Sequence, residues 1–219
     1  MMYVVKTPWW LQSLYPSLIW RLNPTEKVIN LTFDDGPHAT ATPFVLDLLL
    51  KYKAKATFFC IGKNVRQHQE MYNRIIAEGH AVGNHTEHHA NGWKTNNEQY
   101  LQEIREAANC IDSNLFRPPY GRIKRSQIKS LKKNNTISST SQKILLPNNI
   151  IMWDVLSGDF DVQLSPENCC SNVLLNVQPG SIIVFHDSAK AWERMAYALP
   201  KVLDHFTQLG YRFEKIVLP

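Results

Sequence analysis

Two carboxylates stand side by side in the stretch LTFDDGPHAT, where Asp34 and Asp35 end an apolar run and precede a Gly-Pro turn signal. An Asp pair before Gly-Pro is ordinary turn chemistry. It becomes catalytic chemistry when a metal ion holds one carboxylate ionised and gives the two different tasks. Ligands for such an ion occur further along: His85 and His89 are four residues apart, with His88 between them. That spacing sets two imidazoles on the same side of a helical turn, close enough to bind one ion. Two histidines and one aspartate leave coordination positions open, as a catalytic site requires and a closed structural site does not. Zinc suits this donor set, and other divalent transition metals do too.

These residues need a frame that brings them together. From Val28 onward seven short apolar runs, at 28–33, 56–61, 80–84, 114–117, 149–155, 181–186 and 211–216, alternate with helical patterns. Most of the runs are too continuously apolar for a sheet with a wet face, so a parallel sheet buried on both sides is expected. Helices are expected at 43–52 after a Thr42 cap, at 67–77, 97–111 and 125–132, at 166–176 after a Ser165 cap, and at 192–208. A barrel and an open doubly wound sheet fit this alternation equally, and the lack of a glycine-rich nucleotide loop favours the barrel. In a parallel α/β barrel the carboxyl ends of all strands share one rim. Asp34 and Asp35 follow the first run, GNHTEHH the third, RPPYG the fourth, WDVLSGDF spans the end of the fifth, and FHDS closes the sixth. All can therefore converge on one site.

Composition narrows the function. With 219 residues and 44% hydrophobic content the chain can bury one sizeable core, so a single domain over 27–219 is expected, preceded by an apolar, aromatic extension at 1–26. The extension holds Trp9, Trp10, Leu14, Tyr15, Leu18, Ile19 and Trp20, and packing against the domain is expected in preference to contact of residues 8–20 with a membrane surface. Net charge is +5, with basic residues scattered apart from a cluster between Arg117 and Lys133. No RNA-binding signature or phosphate loop is present, which argues against nucleic acid as a partner. No obligate protein partner is indicated. Cys60, Cys110, Cys169 and Cys170 have neither disulfide-framework nor zinc-finger spacing. With no apolar run long enough to span a bilayer and no signal-peptide pattern, a cytoplasmic location is expected. The polar stretch 132–143 reads as a surface loop.

Five motifs occur in order: TFDDG (32–36), HTEHH (85–89), RPPYG (117–121), WDVLSGDF (153–160) and VFHDS (184–188). In these the chain resembles the polysaccharide deacetylases, the NodB-homology domain or carbohydrate esterase family four, from about Lys27 to the C-terminus. The resemblance implies a distorted (β/α) barrel with about seven parallel strands and hydrolysis of N-acetyl groups on an amino sugar, glycan or glycoconjugate. It further implies one divalent metal ion, zinc first, with cobalt, nickel or manganese as alternatives, held by Asp35, His85 and His89. Asp34 would be the general base on metal-bound water, with Arg117 keeping it ionised and oriented. His186 would be the general acid, Asp159 the group that orients it and raises its proton affinity, and the backbone N–H of Tyr120 the oxyanion donor. Members commonly carry Trp after the motif-four Asp and Leu two residues before the motif-five His, where this chain has Phe160 and Val184. These two, with Pro118 and Trp153, are the candidates for the substrate pocket, and Phe185 is a further aromatic nearby.

Two other functions compete: hydrolysis of a non-sugar amide on the same metal site, and a non-catalytic glycan-binding domain. Binding alone requires neither a base nor an acid, so the pairing of Asp34 with His186 favours an enzyme.

Overall fold

The computed structural model describes residues 3–133, 136–138 and 143–218. Its elements in chain order are α1 (Trp9–Leu14), β1 (Val28–Asp34), α2 (Ala41–Lys51), β2 (Ala56–Cys60), α3 (Gly62–Gln67), α4 (Gln69–Ala77), β3 (Ala81–Asn84), α5 (Asn97–Ala108), β4 (Leu115–Phe116), α6 (Arg125–Lys133), β5 (Thr136–Ser138), β6 (Lys143–Leu145), β7 (Asn149–Ile150), β8 (Val155–Leu156), α7 (Pro166–Leu174), β9 (Ile182–His186), α8 (Trp192–Gln208) and β10 (Arg212–Phe213).

Seven parallel strands pair in the order β7-β4-β3-β2-β1-β9-β8, and β10 adds to the amino end of β1. The sheet curls into the expected distorted barrel. Alternation along β1 shows how it is filled. Ile29, Leu31 and Phe33 join the core beneath the helices, while Asn30, Thr32 and Asp34 belong to the opposite face and are buried inside the curl. The interior is thus more polar than the apolar runs suggest, and its apolar packing includes a small cluster of Phe59, Leu115, Ile151, Ile182 and Ile216.

One expected strand, 149–155, divides in two. Its first part, β7, pairs with β4 at one edge of the sheet, and its continuation, β8, pairs with β9 at the other. Residues 151–154 therefore carry the chain across the seam. They cannot remain in regular pairing because Asp154 turns its carboxylate inward, accepting from Ile182 N at 2.9 Å and Ser181 Oγ at 2.8 Å. The N-terminal segment lies along this seam. Ile19 bridges Ile151, Arg21 bridges Ser181 and Lys6 bridges Val155, and Leu18 and Trp20 are buried with Phe116, Ile150 and Met152.

Helix boundaries differ from expectation where side chains have other partners. Thr42 lies inside α2 rather than capping it, because its hydroxyl accepts from His38 N and donates to Asp187. The helix expected at 67–77 is broken at His68 into α3 and α4, and α5 starts on the Asn96 cap and ends at Ala108. Ser165 caps α7, and α8 matches its expected span. The stretch read as a loop at 132–143 is partly a hairpin, with β5 and β6 pairing antiparallel, because Thr136, Ile137 and Ile144 are strand formers. Its residues 134–135 and 139–142 lie outside the described residues. Among the described residues no helix is long and apolar enough to cross a membrane.

Asp154 joins the seam to the N-terminal segment, since Lys6 Nζ and Arg21 Nε approach its carboxylate at 2.9 and 3.4 Å. Both cations can rehydrate if it is removed, whereas Ser181 Oγ and Ile182 N cannot. Asp154→Ala is therefore expected to cost about 1–3 kcal/mol in urea unfolding and to speed proteolytic cleavage within residues 3–22. Unchanged stability and cleavage would contradict this anchoring role.

Candidate active site

The barrel interior delivers the sequence-predicted residues to the carboxyl ends of β1, β3, β4, β8 and β9. Asp34 ends β1 in register with His186 of β9, and Asn84 of β3 is in register with Phe116, one residue before Arg117. At the centre is the Arg117 guanidinium, fully buried. Its Nη1 donates to Thr32 Oγ1 at 2.6 Å and Asp34 Oδ1 at 2.7 Å, while Nε and Nη2 donate to the carbonyls of Ile151 and Met152 on the seam. The guanidinium plane rests over the Phe59 ring, 4.1 Å from its centroid. Asp34 is thus held as an oriented carboxylate with Oδ2 directed to the site, 4.0 Å from His85 Nε2.

His85 and His89 come together by a route other than the expected helical turn. Residues 85–90 form no helix, and Thr86 and His89 both have left-handed backbone, at φ 65° and 59°. The turn is held by Thr86, whose N–H donates to Asn84 Oδ1 and whose hydroxyl accepts from Ala90 N, both at 2.9 Å. His85 Nδ1 donates to the Arg117 carbonyl at 2.7 Å, which leaves Nε2 as a lone-pair donor. Burial lowers the His85 pKa to about 4, against the opposing influence of Asp34, so the ring is neutral and able to ligate. His88 points away, exposed and bonded to Glu103.

Asp35 completes the donor set from a left-handed backbone of its own, at φ 78°. Asn64 Nδ2 donates to its carbonyl at 2.7 Å. The next residue, Gly36, donates its N–H to the buried Asp187 at 3.1 Å, and any Cβ on Gly36 would lie 2.1 Å from that carboxylate. Asp35 Oδ1 is buried without a hydrogen bond, while His89 Nε2 and His85 Nε2 approach it at 3.1 and 3.7 Å. Burial alone would raise the Asp35 pKa, and the surrounding imidazoles of His89, His186 and His85 outweigh it and hold the carboxyl below the usual range. Ligands about 2 Å from one tetrahedral ion stand roughly 3–3.5 Å apart. One carboxylate oxygen and two imidazole nitrogens, all within 4.8 Å of one another, fit a divalent metal.

On the facing side Asp159 accepts from both the His186 backbone N–H and its Nδ1, each at 2.7 Å. Burial would lower the His186 pKa, but Asp159 outweighs it and, with Asp35 and Asp34, raises it to about 10. Nδ1 being engaged, the proton on Nε2 is the one available. Tyr120 lies on a 3-10 turn, Pro119–Gly121, again with left-handed backbone at φ 60°. No described residue accepts from its N–H, and its exposed ring lies 4.5 Å from that of His89. Gly121, at φ 66°, admits the Trp153 ring where a Cβ would lie 2.7 Å from it.

The pocket candidates separate. Phe160 has its ring 5.3 Å from His186, and Trp153 is half-buried beside Gly121. Pro118 and Val184 are buried, Val184 on the same strand face as His186. Phe185 turns outward and stacks with Phe33 under the helices, because adjacent strand residues face opposite ways. Sequence reasoning missed Thr32, Asn64, Asn84 and Asp187. Asp187 stands in the quoted VFHDS motif, and burial raises its pKa to about 8 despite the bond from Thr42.

The polysaccharide deacetylase family matches residues 21–136. A curated peptidoglycan-N-acetylglucosamine deacetylase of Bacillus cereus is 32% identical over 89% of this chain and 88% of its own length. The peptidoglycan-N-acetylmuramic acid deacetylase PdaC of Bacillus subtilis is 30% identical over 87% of this chain, which spans only 38% of that longer protein. The crystal structure of the peptidoglycan N-acetylglucosamine deacetylase Bc1960 superposes with a TM-score of 0.82 at 30% identity, covering 96% of this chain and 95% of the other. Barrel, motifs and relatives agree, and the chain belongs to the polysaccharide deacetylase family.

Removing one member of a buried ion pair strands the other charge. Arg117→Met is expected to lose about 3–5 kcal/mol of stability in urea unfolding at neutral pH. A loss below about 1 kcal/mol, as for an exposed ion pair, would mean that Arg117 is not the internal support of Asp34.

Proposed function

We propose that this protein is a metal-dependent hydrolase that removes N-acetyl groups from N-acetylglucosamine- or N-acetylmuramic-acid-containing glycans or their precursors. The observation that carries this reading is the opposition of a carboxylate oriented by Arg117, Asp34, and an imidazole bonded to Asp159, His186, across a set of three possible metal ligands. The activities of the relatives, peptidoglycan-N-acetylglucosamine and peptidoglycan-N-acetylmuramic acid deacetylation, support the amino-sugar substrate class. In this reading residues 27–219 are the catalytic domain and residues 1–26 a segment packed on it. The four unpaired cysteines favour a reducing, cytoplasmic setting.

Asp35, His85 and His89 would hold the metal, with zinc the expected ion for two imidazoles and a carboxylate. When bound, that ion would lower the pKa of the attacking water and polarise the acetyl carbonyl. Asp34 takes a proton from the attacking water through Oδ2, since Oδ1 is engaged by Arg117. The Tyr120 N–H donates to the carbonyl oxygen as it gains charge, and being fixed by its backbone it needs no reorganisation. His186 gives its Nε2 proton to the sugar nitrogen as the C–N bond breaks, so that an amine leaves rather than its anion. Free amine and acetate result. Phe160 and Trp153 supply aromatic surface beside the reacting group.

His85→Ala is expected to lose bound zinc and acetate release together, whereas Asp34→Asn retains zinc and loses about 10²–10⁴-fold in turnover on N-acetylglucosamine oligomers. Full zinc occupancy in His85→Ala, measured by elemental analysis, would overturn the ligand assignment.

The pH profile should be bell-shaped. A group whose pKa is raised in the folded protein holds its proton until the pH reaches that value, so the His186 acid is present below about pH 10 and lost above it. Asp159→Asn removes the main raising influence and is expected to move the alkaline limb of kcat/KM down towards neutrality. An unmoved limb would exclude His186 as the acid.

A further inference from the structure

The N-terminal helix α1 turns its two faces to different surroundings. Leu11 and Tyr15 pack against the core cluster around Phe116 and Met152. Trp9, Trp10 and Leu14 are 77%, 53% and 54% exposed. Single exposed apolar residues are ordinary, but three large ones on a six-residue helix form a patch. Trp10 and Leu14, four apart, share one side of it. The helix is not frayed: Gln12 bonds back to Thr7, and Trp20 Nε1 donates to the Tyr15 carbonyl.

The patch continues into a groove of about 510 Å³ between the N-terminal segment and α6. Its floor is Leu14, Tyr15 and Ile128, and its rim is Arg125, Lys129, Lys132 and Lys133. Among the described residues no acidic residue lines it. Arg125 lies over the Tyr15 ring at 5.5 Å and Lys132 donates to the Ser17 carbonyl at 2.8 Å, which fixes the two walls together. The charge segregation runs deeper than the groove. Residues 1–25 and 113–153 contain none of the chain's 19 acidic residues. Their Lys6 and Arg21 are paired with Asp154 and their Arg117 is buried on Asp34, while Arg125, Lys129, Lys132 and Lys133 make no ion pair among the described residues.

We propose that α1 and α6 together form a docking surface for an anionic lipid bilayer. Indole rings favour the headgroup level of a membrane, where the ring is buried and the N–H stays wet. Basic residues beside them are drawn to anionic headgroups, each strengthening binding by about five-fold near the surface. The pairing of exposed tryptophan with an acid-free basic rim selects such a bilayer over a neutral one. The surface is independent of the proposed catalytic groups, so its test does not depend on turnover.

The test is cosedimentation of the full chain with phosphatidylcholine vesicles and with vesicles containing about a quarter phosphatidylglycerol, at low and high salt. Binding is expected to be at least ten-fold tighter to the anionic vesicles and to weaken with salt. The double variant Trp9→Ala/Trp10→Ala should lose ten-fold or more, and Lys129→Glu/Lys133→Glu should lose the anionic preference. Because these side chains are exposed, both variants should keep the wild-type melting temperature and acetate release from soluble oligomers. No binding to either vesicle, binding indifferent to phosphatidylglycerol, or undiminished binding by the tryptophan variant would overturn the proposal. Capture of RNA or DNA oligonucleotides without vesicle binding would overturn it too, assigning the patch to nucleic acid.

Discussion

The buried Arg117 guanidinium is the interaction on which the rest of the structure depends. It reaches Thr32 and Asp34 on β1 from the end of β4, and the carbonyls of Ile151 and Met152 where the chain crosses the barrel seam. A cation inside a protein is tolerable only when its donors are satisfied and its charge is opposed. Both conditions are met here by groups from separate parts of the barrel, so the charge can be housed only when the barrel is assembled. The carboxylate that opposes it is the proposed base. Folding and the proposed function thus share one electrostatic requirement.

Around that pair the backbone is bent into conformations that most residues avoid. Of the five non-glycine residues with positive φ among the described residues, four are Asp35, Thr86, His89 and Tyr120, and these four are at the site. Such conformations persist only where the surroundings over-determine them. Asn64, Asn84 and Asp187 do this for the turns that carry the proposed ligands, each with a buried or half-buried hydrogen bond to backbone. The reward is direction: Asp35 and His89 aim inward from loops that a regular strand or helix could not shape. Gly36 allows the Asp187 carboxylate to reach the turn at all.

Much of this was legible in the residues. Apolar runs alternating with helical patterns imply a parallel sheet with helices packed on it, because strands buried on both sides are mostly apolar and their crossovers amphipathic, and the lack of a glycine-rich nucleotide loop favoured the barrel over an open sheet. The five motifs sat at strand ends, which in a parallel barrel is one rim. What misled was local pattern where long-range partners decide. The run 149–155 is uniformly apolar enough for one strand, but Asp154 finds its partners on β9 and divides it. The four-residue histidine spacing suggested a helix, and the actual turn is set by Asn84 and the Thr86 side chain. Thr42 looked like a cap and serves Asp187 instead.

By itself the sequence determined which chemical groups this protein owns, their order along strands, and hence the fold class and family. Those depend on composition and period, which are properties of neighbours along the chain. Only the tertiary structure decided how the groups behave. The raised proton affinity of His186, the neutrality of His85 and the orientation of Asp34 come from burial and from partners far apart along the chain, such as Arg117 for Asp34, and Asp34 and Asp35 for His186. Electrostatic tuning acts through space in a medium of low dielectric, and distance in space is what a linear chain does not record.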